Sequence, residues 1–296
     1  MKDDLQIDLD SYSASAKIKG IPKIVYTNYH KDVESDDYMR EQFKIWGIKN
    51  YRKHDKKYSE ENYDEWKDLV LDDDLIQSPK ELALTLNVLD SVIDWYDRNE
   101  SDVCIFMDDD VDLSPINSWL FDWTFLEHHL PYNWDCIQLF CSKDKWIKMH
   151  LHPWEPNNAS SKCFMVSRYF AKRLKHYHCI AGKYKLHYST PNRSIPFFEY
   201  GSLHRFFYDI GITYTLPIFA LNTDLMSESD TNGILDRISS DAIKYWWHNK
   251  SKSFSNFEFF HYNKGDEEWK MEVLFNSNSK KPEVYMDQIE GVMLWI

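Results

Sequence analysis

The chain has 296 residues, 43% hydrophobic and 28% charged, enough for a substantial core in one large or two small domains. A formal net charge of −13 disfavours a nucleic-acid binder, because phosphate contacts need a basic footprint. No window approaches the roughly 18 consecutive apolar residues of a membrane span.

Residues 1–20 read as a polar lead-in lacking the apolar centre of a secretory signal. Five cysteines show no CxxC pair, so reduced core thiols and a cytoplasmic location are expected. "PKIVYTNY" predicts a first strand from Lys23 to Thr27, and "DDYMREQFKIWGI" a helix stopped by Gly47. "KNYRKHD" predicts a short second strand ending near Asp55. "SPKELALTLNVLDSVIDWYDRNES" is the clearest helix, with Ser78 as N-cap, Pro79 at the first position and Glu81 closing a capping box. "VCIFM" is a buried-type strand, and "WDCIQLF" and "SKCFMVS" are two more, the last leading into the helix "RYFAKRLKHY". "EYGSLHRFFYDIG" predicts a short helix and "ITYTLPIF" a strand. This alternation argues an α/β fold with a mostly parallel sheet flanked by helices. Residues 233–296 form an aromatic-rich C-terminal extension, expected to pack on the core or to mediate a homo-oligomer.

The strand Val103 to Met107 ends in Asp108, Asp109 and Asp110, although Asp is depleted in strands and like charges repel. In open α/β sheets, ligands bind beyond the carboxyl ends of strands. By strand alternation Asp108 and Asp110 can converge on one divalent cation while Asp109 faces away or caps the next turn. Hard oxygen ligands select Mg²⁺ or Mn²⁺. The bland alternative is that the triplet caps the turn opened by Asp112 and Ser114. Three activities can use such a cluster: a nucleotide-sugar glycosyltransferase, a haloacid-dehalogenase-like phosphatase working through Asp110 and Asp112, and a non-catalytic carbohydrate-binding module.

In pattern and order, residues 21–232 resemble glycosyltransferase family 25, the lipopolysaccharide-biosynthesis and collagen-galactosyltransferase type. "VCIFMDDDVDLS" is similar to that family's I-L-E-D-D-V-x-L segment, with Asp108 in place of Glu. "NWDCIQLF", "SKCFMVSRYFAKRL", "PFFEYGSLHRFF" and "LPIFALNTDLMSESDTNG" resemble later segments in the same order. The family's S-H on the preceding helix reads Thr85-Leu86 here.

The resemblance implies a GT-A fold and transfer of a sugar, with inversion, from UDP-glucose or UDP-galactose to a glycan or other hydroxyl acceptor. It implies a metal bridging Asp110 and Asp108 to the donor diphosphate. Glu199, where the family has Asp, is the candidate base, or else a helix cap or acceptor ligand. Tyr26, Thr27, Asn28, Asp55 and Asp109 are candidate donor-binding residues. Arg168 would neutralise a phosphate or pair with a surface acid. His248 and His261 are candidates for a third metal ligand, in competition with Asn222, Asp224 and Asp230.

Overall fold

The computed structural model describes residues 15–71, 78–143, 146–155, 158, 160–186, 211–226, 231–253 and 255–260, with three short strands beyond. Strand β1 (Lys23–Asn28) leads into helix α1 (Val33–Trp46), which Asp32 caps by accepting from the Ser35 amide at 3.1 Å. Gly47, at φ 68°, ends that helix in the left-handed conformation that glycine adopts without a Cβ penalty. Strand β2 (Tyr51–Asp55) and a single turn, α2 (Tyr63–Trp66), follow. Helix α3 (Pro79–Arg98) carries the full capping box between Ser78 and Glu81.

Strand β3 (Val103–Asp108) ends in a two-residue turn before the short β4 (Val111–Asp112). Strand β4 is then followed in sequence by α4 (Trp123–His129), β5 (Cys136–Gln138), β6 (Trp146–Lys148), β7 (His152–Pro153), β8 (Cys163–Ser167) and helix α5 (Arg168–His178). A small hairpin, β9 (Cys179–Ile180) and β10 (Lys183–Tyr184), precedes β11 (Thr213–Thr215) and β12 (Ala220–Leu221). Helix α6 (Thr231–Asn249) and the short α7 (Asn256–Phe260) close the described core. The short helix expected within 199–211 falls almost wholly outside the described residues.

The central sheet has the order β2-β1-β3-β8-β5-β11-β7. Its pairs β1–β2, β1–β3 and β5–β11 are parallel, whereas β8 runs antiparallel to both β3 and β5, and β7 runs antiparallel to β11. Five of the seven strands therefore point one way, a mixed and mostly parallel α/β sheet of Rossmann-like character. The chain passes from β1 outward to β2, then returns across β1 to β3, so the strand order reverses between β1 and β3.

Strand alternation divides the core in two. Ile24 and Tyr26 of β1, with Ile105 and Met107 of β3, face α1 and the aromatic end of α6, including Trp246 and Trp247. Val25 of β1, with Cys104 and Phe106 of β3, faces α3 and α5 through Leu86, Leu89 and Phe170. Burying each such side chain contributes about 1.5–3 kcal/mol. Helix α6 spans the boundary drawn at residue 232 and packs on the main core through Ala242, Ile243, Trp246 and Trp247. A C-terminal strand, Gly291–Met293, pairs with β6 and ties the tail to the same body. Among the described residues no helix is long and apolar enough to cross a membrane. The five cysteines are free, four of them buried.

Candidate functional site

The parallel register sets Thr27 beside Asp108 and Asn28 beside Asp55, so the carboxyl ends of β1, β2 and β3 form one edge at the point of strand-order reversal. On the face shared by Thr27, Phe106 and Asp108, with helix α3 as one wall, lies a cavity of about 600 Å³. Its walls include Thr27, Tyr29, Lys56, the three aspartates, Lys162 and Asp236. That volume suits a small-molecule ligand.

All three carboxylates converge, one oxygen from each lying within 4.8 Å of the others. Asp109 does not turn away as alternation predicts, because regular strand geometry stops at Asp108 and the turn swings Asp109 back. The Asn28 amide donates to Asp109 at 2.9 Å and to the Asp32 carbonyl at 3.1 Å. Thr27 Oγ1 donates to Asp108 at 3.0 Å.

Two lysines balance the acids. Lys56 Nζ contacts Asp108 Oδ1 and lies 3.5 Å from Asp109 Oδ1. Lys162 Nζ bridges Asp108 Oδ2 and Asp110 Oδ2, at 2.8 Å from each. Burial alone would raise the Asp108 carboxyl pKa, but Lys162 and Lys56 outweigh it and hold that group well below the usual carboxylate range. For Lys162, burial works to lower the pKa, and the pull of Asp108 and Asp110 overcomes it and raises the value. Asp109, buried and next to Asp108, is pushed up to about 6. Perturbed groups clustered in a cleft mark a candidate functional site.

Three carboxylates offer hard oxygens at one point. Asp110 Oδ1 is buried and has no hydrogen-bond partner among the described residues, an acceptor that the lysines leave unused. These residues fit a magnesium- or manganese-type ion.

The other expected residues separate cleanly. Tyr26 points to the opposite face of β1, where its hydroxyl donates to Asp36 at 2.6 Å and its ring packs on Phe43. Asp55 is exposed beside Lys53 and does not line the cavity, whereas the next residue, Lys56, does. Arg168 is a correction to its expected place. Because β8 runs antiparallel to β3, Ser167 pairs with Val103, which carries Arg168 to the far end of the sheet. There it donates to the Tyr96 carbonyl at 2.8 Å and sits over the Tyr96 ring.

His248 is exposed near the end of α6, whereas the cavity meets that helix at Gly233, Leu235 and Asp236. His248 lies twelve helical steps beyond Asp236, about 18 Å of axis, so this histidine is not brought to the triplet. Asn222 lies behind the cluster, its backbone amide donating to the Asp110 carbonyl at 2.7 Å. Asp224 is exposed and its amide donates to Asn222 Oδ1 at 3.1 Å. Glu199, Asp230 and His261 lie outside the described residues. Asp112 accepts from the Ser114 amide at 2.8 Å, pairs with Lys244 at 2.8 Å and does not line the cavity.

Lys56, Lys162 and Asp236 were missed by sequence reasoning. For Lys56 a signal existed, since the strand period puts it on the face of His54 and Thr27. For Lys162 and Asp236 none did, as both reach the site only through tertiary packing. A scan against protein-family models finds no match, and a search of curated proteins returns no relative.

Proposed function

We propose that the chain is a metal-dependent glycosyltransferase of GT-A type that moves a sugar from a nucleotide-sugar donor, UDP-glucose or UDP-galactose, to a glycan or other hydroxyl acceptor. One observation carries this reading. A convergent acid triplet closes the carboxyl end of β3 at the strand-order reversal, at the floor of a cavity large enough for a ligand. The displacement of Asp112 from that cavity supports it over a phosphatase working through an Asp110–Asp112 pair.

In this mechanism the acceptor oxygen attacks the anomeric carbon as the bond to the diphosphate breaks. The departing diphosphate gains negative charge, which Lys56 and Lys162 are placed to offset from inside the cavity. A magnesium or manganese ion held by Asp108 and Asp110 would supply further Lewis-acid neutralisation of that charge. Thr27 and Asn28 hold Asp108 and Asp109 in place by hydrogen bonds. The proton of the acceptor hydroxyl passes to a carboxylate base, which this reading assigns to Glu199.

Incubated with UDP-glucose or UDP-galactose and Mn²⁺, the protein should release UDP slowly even without its acceptor, with water taking that role. Chelation and the substitution Asp110→Asn should each abolish release. Release that persists under both treatments, or turnover of an aryl phosphate in place of the UDP-sugars, would count against the transferase.

A further inference from the structure

We propose that Lys162 is a built-in competitor for the divalent cation, its ammonium filling the position between Asp108 and Asp110 until metal and donor diphosphate arrive together. The identity of the diphosphate rests on the transferase reading above; the competition itself rests on the geometry. Lys162 Nζ lies 2.8 Å from one oxygen of each aspartate, so an ion binding those same two oxygens and the ammonium exclude one another.

Charge bears on the same contact. Within the triplet, three carboxylates face two ammonium groups, and Asp236 of the cavity wall adds a fourth acid acting on Lys162, so the acids outnumber the lysines and leave charge for a cation to offset. A lysine displaced from those oxygens by a cation needs a new anion, and a diphosphate entering the same cavity is that anion. Of the two lysines, Lys162 is the freer, with 28% of its side chain exposed against 10% for Lys56, which also lies under the Tyr29 ring. Its backbone stays anchored, since its carbonyl accepts from the Asp108 amide at 2.7 Å and its amide donates to Ser160 Oγ at 3.2 Å. A fixed backbone with a partly exposed side chain allows the ammonium to swing without unravelling β8. The buried Asp110 Oδ1, without a hydrogen-bond partner among the described residues, is the second sign of a ligand, because the lysine bridge satisfies only the other oxygen.

If metal and diphosphate both displace the same lysine contact, each tightens the other, since coupling between ligands is reciprocal. Mn²⁺ affinity of the nucleotide-free full chain tests this by titration calorimetry. Lys162→Met should bind Mn²⁺ roughly 5- to 150-fold more tightly than wild type, the usual span of such couplings. Lys162→Arg, which keeps the charge, should stay close to wild type. UDP should tighten Mn²⁺ binding in wild type and do so much less in Lys162→Met.

An independent arm uses the wild-type chain alone. Mn²⁺ with UDP should change the rate of Lys162 acetylation, read by peptide mass spectrometry, because the ammonium leaves its two carboxylates. Equal or weaker Mn²⁺ binding by Lys162→Met, no Mn²⁺ binding by any of the three proteins, or unchanged Lys162 labelling in a chain that binds UDP would each overturn the competition. UDP binding to wild type judges the transferase reading separately. If UDP binds while the Lys162 results fail, the transferase stands without the competitor; if UDP does not bind but Lys162→Met tightens Mn²⁺, the competition stands without the transferase.

Discussion

Asp108 sits between two cations, with Lys56 on one oxygen and Lys162 on the other. Removing Asp108 takes a contact from both lysines, leaving Lys56 with Asp109 at 3.5 Å and Lys162 with Asp110 at 2.8 Å, and breaking a buried ion pair costs up to about 3–5 kcal/mol. Asp108→Ala should therefore unfold in urea at markedly lower stability, and a loss under about 1 kcal/mol would show the network to be solvent-screened. Asp110→Asn should be milder, because Lys162 keeps Asp108. At this scale the acid triplet was legible in sequence, because a carboxylate run ending an apolar strand is chemically unusual. Its lysine partners were not, since any of the 35 basic residues could fold back to it. The place of Arg168 was hidden for a related reason: strand direction decides the end of the sheet at which a side chain arrives, and an isolated apolar run carries no direction.

Between elements, β2 and α3 are joined by a ladder of charges on one face. Arg52 meets Asp94 at 2.8 Å, His54 meets Asp90 at 3.0 Å, and Lys57, just beyond the strand, meets Asp90 at 2.7 Å. Lys53, on the alternate face, lies 3.5 Å from Asp36 of α1. Burial would raise the Asp90 pKa, but hydrogen bonds from His54 and Lys57 lower it from 3.8 to about 2. A depressed folded-state value means the contribution, about 2 kcal/mol, is present above the unfolded value and lost as pH falls towards 2. Urea unfolding between pH 5 and pH 3 should show wild type losing more stability than Asp90→Asn. Parallel curves would remove Asp90 from the account.

A second test at this scale concerns Gly211, where β11 enters the sheet. A Cβ there would meet Phe170 at 2.7 Å and Asp135 Cβ at 2.9 Å, so Gly211→Ala should destabilise by about 1–3 kcal/mol, measured by thermal or urea unfolding. An unchanged midpoint would mean that α5 shifts freely. The long elements were legible because each carries its own signal: the Ser78 capping box, the Gly47 stop, and the apolar runs of β1, β3 and β8. Two-residue strands such as β4, β7 and β12 carry none, since they exist only by pairing with distant partners.

Across the whole molecule, an acidic chain of net charge −13 concentrates two lysines at one acid-lined edge. That local balance fits a phosphate-bearing small molecule that also brings a cation, while the global charge disfavours nucleic acid. The α/β class and the carboxyl-edge location followed from the alternation of elements, and the sheet order then located the strand reversal beside the triplet. Helix α6, whose role the sequence left open, proved to be both core and cavity wall. In the proposed mechanism this edge binds a nucleoside diphosphate together with a divalent ion. Calorimetric titration of UDP into the full chain, with Mn²⁺ and with chelator, addresses it most directly. UDP binding should depend on Mn²⁺ and disappear in a folded Asp110→Asn protein; equal UDP binding by both proteins, or none by wild type in either condition, would contradict the proposed site.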